Sequence, residues 1–134
     1  MRELKFRLIS RDGKIVGYEK WYPGSWNEGA RCWNAIPQWL YSRDGQYWKP
    51  EYILHQHKDQ FTGLHDKNGK EIWEGDVVTG TVHEYFDGKY IINFDEGVFS
   101  VRVSDEYNPC LYEGIPEKQL KVIGNIYENP ELLK

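Results

Sequence analysis

The sequence predicts a mainly-β chain. Three observations carry that expectation. Asp-Gly and Asn-Gly dipeptides recur at Asp12-Gly13, Asp44-Gly45, Asn68-Gly69 and Asp87-Gly88, with a looser Asp95-Glu96-Gly97. Both residues of such pairs accept positive φ, which matches the twist of a β-hairpin. The segments between them alternate apolar with polar residues or carry β-branched and aromatic ones, and no long stretch repeats at helical spacing.

Taken in order, strands are expected over 4–9, 14–21, 39–41, 46–48, 72–82, 89–94, 98–103 and 120–127. Two short helical turns are expected at 50–54 and 116–120, each opened by a proline, which a first turn tolerates. Residues 22–37 hold Pro23-Gly24-Ser25 and Asn27-Glu28-Gly29 and read as a long surface excursion. From Phe61 onward the spacing tightens into short strands joined by tight turns, with one last strand after a helical turn, which fits an SH3-like barrel. The expected architecture is therefore an SH3-like barrel in the C-terminal half with an N-terminal β-hairpin extension. At 134 residues this makes one compact unit, subdivided into an aromatic β region, 1–58, and the barrel, 59–134. The strings Ser10-Arg11-Asp12-Gly13 and Ser42-Arg43-Asp44-Gly45 echo each other, as convergent turn chemistry would make them.

Three segments resemble the YopX family, small proteins of bacteriophages and prophages of low-GC Gram-positive bacteria. They are Arg2-Glu3-Leu4-Lys5-Phe6-Arg7, then Phe61-Thr62-Gly63-Leu64 through Asp66-Lys67-Asn68-Gly69-Lys70-Glu71-Ile72 to Glu74-Gly75-Asp76-Val77, and finally Val122-Ile123-Gly124-Asn125-Ile126-Tyr127-Glu128-Asn129-Pro130. The resemblance thins between residues 10 and 60. It implies a mainly-β protein with an SH3-like barrel, a phage origin and no catalytic residue set to carry over. His65 departs from the family string, where Lys is commoner, and reads as a turn-flanking substitution.

Charge and composition narrow the function. A net charge of -4 argues against broad binding of duplex nucleic acid, which relies on clustered cations. Arg2, Lys5, Arg7 and Arg11 alternate along the first strand, more as a solvated face than as a phosphate track. Cys32 and Cys110 form no C-x-x-C pair and read as unlinked thiols of a cytoplasmic protein in a bacterial host cell. No apolar run approaches a membrane span, and the amino terminus opens into a strand pattern instead of a signal peptide.

Candidate chemistry is sparse. His55-Gln56-His57 with Asp59 has the i, i+2 spacing of a strand-borne metal site but lacks an identifiable further ligand, so solvent-facing histidines are the preferred reading. Asp66, Glu71, Glu74 and Asp76 cluster in sequence, yet each sits where a turn or strand opening uses it. No nucleophile elbow or phosphate-binding loop occurs. No metal, cofactor or catalytic group is therefore expected, and the chain reads as no enzyme.

Aromatic residues reach 16%, and Trp21, Tyr22, Trp26, Trp33, Trp39, Tyr41, Tyr47, Trp48 and Tyr52 crowd the first half. Most should fill a thin core or subunit interface. Trp26 and Trp33, in the turn-rich excursion, are the expected exposed members, and with Trp21 they form the candidate partner-binding set. The expected function is a noncatalytic phage accessory module binding a host or phage protein, with a homo-oligomer as a further expectation. The alternative is a single-stranded nucleic-acid-binding accessory factor using the aromatics and the basic stripe.

Overall fold

In the computed structural model the chain is built from antiparallel β-strands, as the turn chemistry predicts, and residues 4–82, 85–95, 98–102 and 120–133 are described. No helix among the described residues is long and apolar enough to cross a membrane. The strands divide into two units, Glu3–Lys58 and Asp59–Lys134.

The first unit centres on β1 (Lys5–Ile9), β2 (Ile15–Tyr22) and β5 (Gln38–Ser42). β2 lies between the other two, pairing Phe6 with Glu19 on one side and Trp21 with Trp39 on the other. Asp12-Gly13 turns β1 into β2 as expected: Gly13 takes φ 81° and its amide donates to the Ser10 carbonyl at 3.0 Å. At the Asp44-Gly45 turn Gly45 takes φ 80°, and its amide donates to the Ser42 hydroxyl oxygen at 2.8 Å. In both, the serine hydroxyl bonds the aspartate two residues on. Asp44 Oδ1 also accepts the amides of Gln46 and Tyr47.

Two expectations fail here for one reason. Residues 46–48 form no strand and 50–54 no helical turn, because Tyr41 and Lys49 exchange both backbone hydrogen bonds in an isolated bridge and the chain then runs on irregularly. Ile53 thereby enters the core with Leu8 and Ile9. The excursion is also more ordered than its glycines suggest, since β3 (Ser25–Asn27) and β4 (Cys32–Ala35) form a hairpin.

The second unit contains β7 (Glu71–Trp73) paired with β6 (His57–His65), whose residues from Asp59 onward belong to it. It also has a four-stranded sheet in the order β10 (Val98–Arg102), β9 (Tyr85–Asp95), β8 (Asp76–Val82), β11 (Leu120–Asn125). The expected SH3-like barrel is corrected in one respect: among the described residues the strands do not close on themselves, and β10 and β11 end the sheet. Asp87-Gly88 is a second correction. It lies inside β9, with Gly88 opposite Gly80, where the register shifts; this is a bulge signature that resembles a turn in sequence. Ile72, Val78, Ile92, Phe99, Val101, Leu120 and Val122 form the core. Of the expected turns at 95–97 and 116–120, Asp95 ends β9 and Leu120 opens β11, while 96–97 and 116–119, with Cys110, lie outside the described residues.

The strings at 61–77 and 122–130 meet in this unit. Asp66 opens the Asn68-Gly69 turn, its Oδ1 accepting the amides of Asn68 and Lys70 at 2.9 Å each. Its Oδ2 accepts the Val122 amide at 2.8 Å, tying the turn to β11. The Lys67 amide donates to the Leu120 carbonyl, and that of Ile126 to the Gly75 carbonyl. Asp76 Oδ2 accepts the Trp73 amide at 2.8 Å. After β11, Asn125 Oδ1 accepts the amides of Tyr127 and Glu128, and a 3₁₀ turn follows at Pro130–Leu133.

Candidate functional site

Alternation on β1, β2 and β5 places Leu4, Phe6, Glu19, Trp21, Trp39 and Tyr41 on one face. Trp21 and Trp39 sit directly opposite each other and meet edge to face at 5.2 Å, and Phe6 lies 6.2 Å from Trp39. Such cross-strand aromatic pairs stabilise a sheet by about 0.2–1 kcal/mol each relative to Ala–Ala. Yet Trp21 is 38% and Trp39 37% exposed. On the β3–β4 hairpin, Trp26 and Trp33 form a second edge-to-face pair at 5.1 Å, with exposures of 47% and 46%. The Trp26 indole N–H donates to Glu28 at 2.8 Å, which satisfies its polar atom and leaves the rings facing water.

Glu19 lies within the Phe6–Trp39 face and is 4% exposed. Its Oε1 takes a charged hydrogen bond from Lys58 Nζ at 2.8 Å. Tyr41 lies across from Glu19 on the paired strand. Burial first, and then the neighbouring Glu19 carboxylate, push the Tyr41 phenol well above its ordinary 10.0. The Lys58 ammonium stands 4.5 Å from the Phe6 ring centre and 5.6 Å from that of Trp39. Beside this face is a cleft of about 300 Å³ lined by Tyr41, Tyr47, Lys49, Tyr52 and Ile53 among others. That volume is at the lower end for ligand pockets.

The polar residues singled out in the sequence are dispersed. His55 Nδ1 lies 2.7 Å from the Ile53 carbonyl and its ring packs on Tyr52, while His57 is exposed. Asp59 is buried and accepts the Tyr127 hydroxyl at 3.0 Å. Among the described residues no three His, Cys, Asp or Glu side chains gather where they could share a metal ion. Asp66 and Asp76 are buried acceptors of backbone amides, and Glu74 Oε1 accepts the Gln60 amide at 3.2 Å. Burial pushes the Asp66 carboxyl up, but the amides of Val122, Lys70 and Asn68 outweigh it and hold the group below its usual 3.8.

The basic stripe is corrected. Arg7 is buried at 5% exposure, so it belongs neither to a solvated face nor to a phosphate track; Arg11 is exposed in the turn, and Arg2 lies outside the described residues. Cys32 is an exposed free thiol.

Trp26 and Trp33, the two tryptophans expected to be exposed, are so, and Trp21 of the candidate set is exposed as well. The sequence reading missed Trp39, Phe6, Glu19 and Lys58. A signal for Glu19 existed: it is the acid between Gly17 and Trp21 in a β2 alternation that otherwise carries apolar residues.

Comparison with known proteins gives both a structural and a family relation. No curated protein matches the chain. A crystal structure of protein EF1440 from Enterococcus faecalis is similar at 23% identity over 97% of this chain and 87% of that one, with a TM-score of 0.47. The family described as YopX protein matches residues 23–134. That span contains both the Phe61–Val78 and Val122–Pro130 strings and leaves the Arg2–Arg7 segment outside. With most of its length matched, and the two strings joined through Asp66 and Gly75, the chain belongs to the YopX family.

Proposed function

We propose that this chain is a noncatalytic interaction module, an accessory protein of phage origin, which binds a host or phage protein through the exposed tryptophans of its first unit. One observation carries the reading: four tryptophans are fixed in two edge-to-face pairs on strands and remain 37–47% exposed. Rigid, half-exposed Trp is the residue type that dominates binding energy at protein interfaces, because it brings large area at little entropic cost. The second unit acts as a scaffold, the buried carboxylates of Asp66 and Asp76 committed to backbone amides. The single-stranded nucleic-acid reading loses a cation with the burial of Arg7.

The test is capture from cells with tagged wild-type protein, Trp26→Ala/Trp33→Ala and Trp21→Ala/Trp39→Ala. A protein recovered by the wild type and depleted about tenfold or more by either double variant supports the reading, since each hot-spot loss is on the order of 2 kcal/mol. Recovery of the bait alone contradicts it. Retention on single-stranded DNA that falls steeply with salt would favour the nucleic-acid reading instead.

A further inference from the structure

We infer that the aromatic face of the first unit is a cation-recognition site occupied by the chain's own Lys58, and that a partner engages it by inserting an exposed arginine in place of that lysine. The inference rests on the protein-binding reading above and names the anchor such a partner carries.

Three groups surround one ammonium. Glu19 lies 2.8 Å from Lys58 Nζ, and the Phe6 and Trp39 rings lie 4.5 and 5.6 Å from it. A carboxylate with two ring faces is the composition of an aromatic cage, in which a cation is attracted by the ring quadrupoles and neutralised by the acid. The two partners are unequal in burial. The Glu19 side chain is 5% exposed and that of Lys58 is 41% exposed. The acid is therefore built into the sheet, whereas the ammonium approaches from the solvent side on a flexible stem that rehydrates when it leaves.

Departure of Lys58 would leave a buried carboxylate without its counter-charge, so the vacated position demands another cation. Arginine fits it better than lysine does. A guanidinium is planar and stacks on Trp39, and it offers two parallel N–H donors to the Glu19 carboxylate, neither of which an ammonium provides. Leu4, Trp21 and Trp39, all exposed at the rim, supply the apolar collar that would shield such a contact from water. Lys58, half-exposed on a flexible stem, is an internal competitor that reduces affinity for the incoming arginine without closing the site.

The experiment titrates N-acetyl-arginine-N-methylamide, and its uncharged citrulline counterpart, into wild-type protein, Lys58→Ala and Glu19→Gln, following the Trp39 indole N–H and Phe6 ring resonances by NMR. The expected result is weak saturable binding to the wild type, binding about fivefold tighter to Lys58→Ala as the internal competitor is removed, loss in Glu19→Gln, and no saturable shift with citrulline. Arginine binding to Lys58→Ala no tighter than to wild type, or citrulline binding equally well, overturns the inference; these two readouts decide it even if Glu19→Gln does not fold. Failure of the arginine probe alongside Trp-dependent capture of a protein would refute the cation site alone. Arginine binding at the cage without any captured protein would refute the partner-binding reading instead.

Discussion

Replacing Asp66 by Asn tests the junction that joins the two family strings. The carboxylate holds three backbone amides, those of Asn68 and Lys70 on one oxygen and that of Val122 on the other. An asparagine keeps the shape and the first two bonds, but its amide nitrogen then faces the Val122 N–H, donor against donor. One charge-assisted hydrogen bond is lost, and a buried N–H is left unmet; together these amount to about 2–3 kcal/mol. At about 4 °C per kcal/mol for a chain of this size, Tm should fall by about 8–12 °C. The folded pKa of Asp66 lies below 3.8, so its stabilisation is complete above that value and is lost as pH falls through the lower folded one. The gap between wild type and Asp66→Asn should therefore hold constant over about pH 5–8 and close as the solution is acidified below about 3.8. Thermal unfolding by circular dichroism across pH, with hydrogen exchange at the Val122 amide, measures both. A variant that melts with the wild type at neutral pH, or a gap unchanged in acid, would refute the reasoning.

Further expectations concern the same unit and the exposed tryptophans. A β-carbon on Gly124 would lie 2.5 Å from Asn129 Oδ1 and 2.8 Å from Leu132 Cδ1, so Gly124→Ala should destabilise by about 1–3 kcal/mol in urea unfolding. Gly69→Ala meets nothing within 4 Å and carries only the strain of φ 82°, about 1–2 kcal/mol. Tyr127→Phe removes the hydroxyl that donates to buried Asp59 and should lower stability by about 1–3 kcal/mol, read from the urea midpoint at constant m. Trp26→Ala, at a half-exposed hairpin position, should shift stability by no more than about 1 kcal/mol while abolishing capture of a partner.

How legible the fold was depends on whether a residue's role is local. Asp12-Gly13 and Asn68-Gly69 were readable because a turn states its own backbone requirement within four residues. Asp87-Gly88 carries the same letters, yet Gly88 faces Gly80 across a strand pair, a relation no local window contains. Residues 50–54 have a helical opening, but burial of Ile53 and the Tyr41–Lys49 bridge override it. Arg7 reads as an outward polar position of an alternating strand, yet it is buried. The exposure of Trp26 and Trp33 followed from their turn-rich setting. The grouping of Trp39, Phe6 and Lys58 around Glu19 did not, because the Lys58–Glu19 pair spans 39 residues of sequence.

The claim that the first unit is the binding surface is tested most directly by photo-crosslinking in cells. A benzophenone amino acid is placed in turn at Trp26, at Trp33 and at Lys121, an exposed position of β11. The account predicts a discrete protein adduct from the two tryptophan positions and none from Lys121. Adducts only from Lys121, or from none of the three, would contradict it.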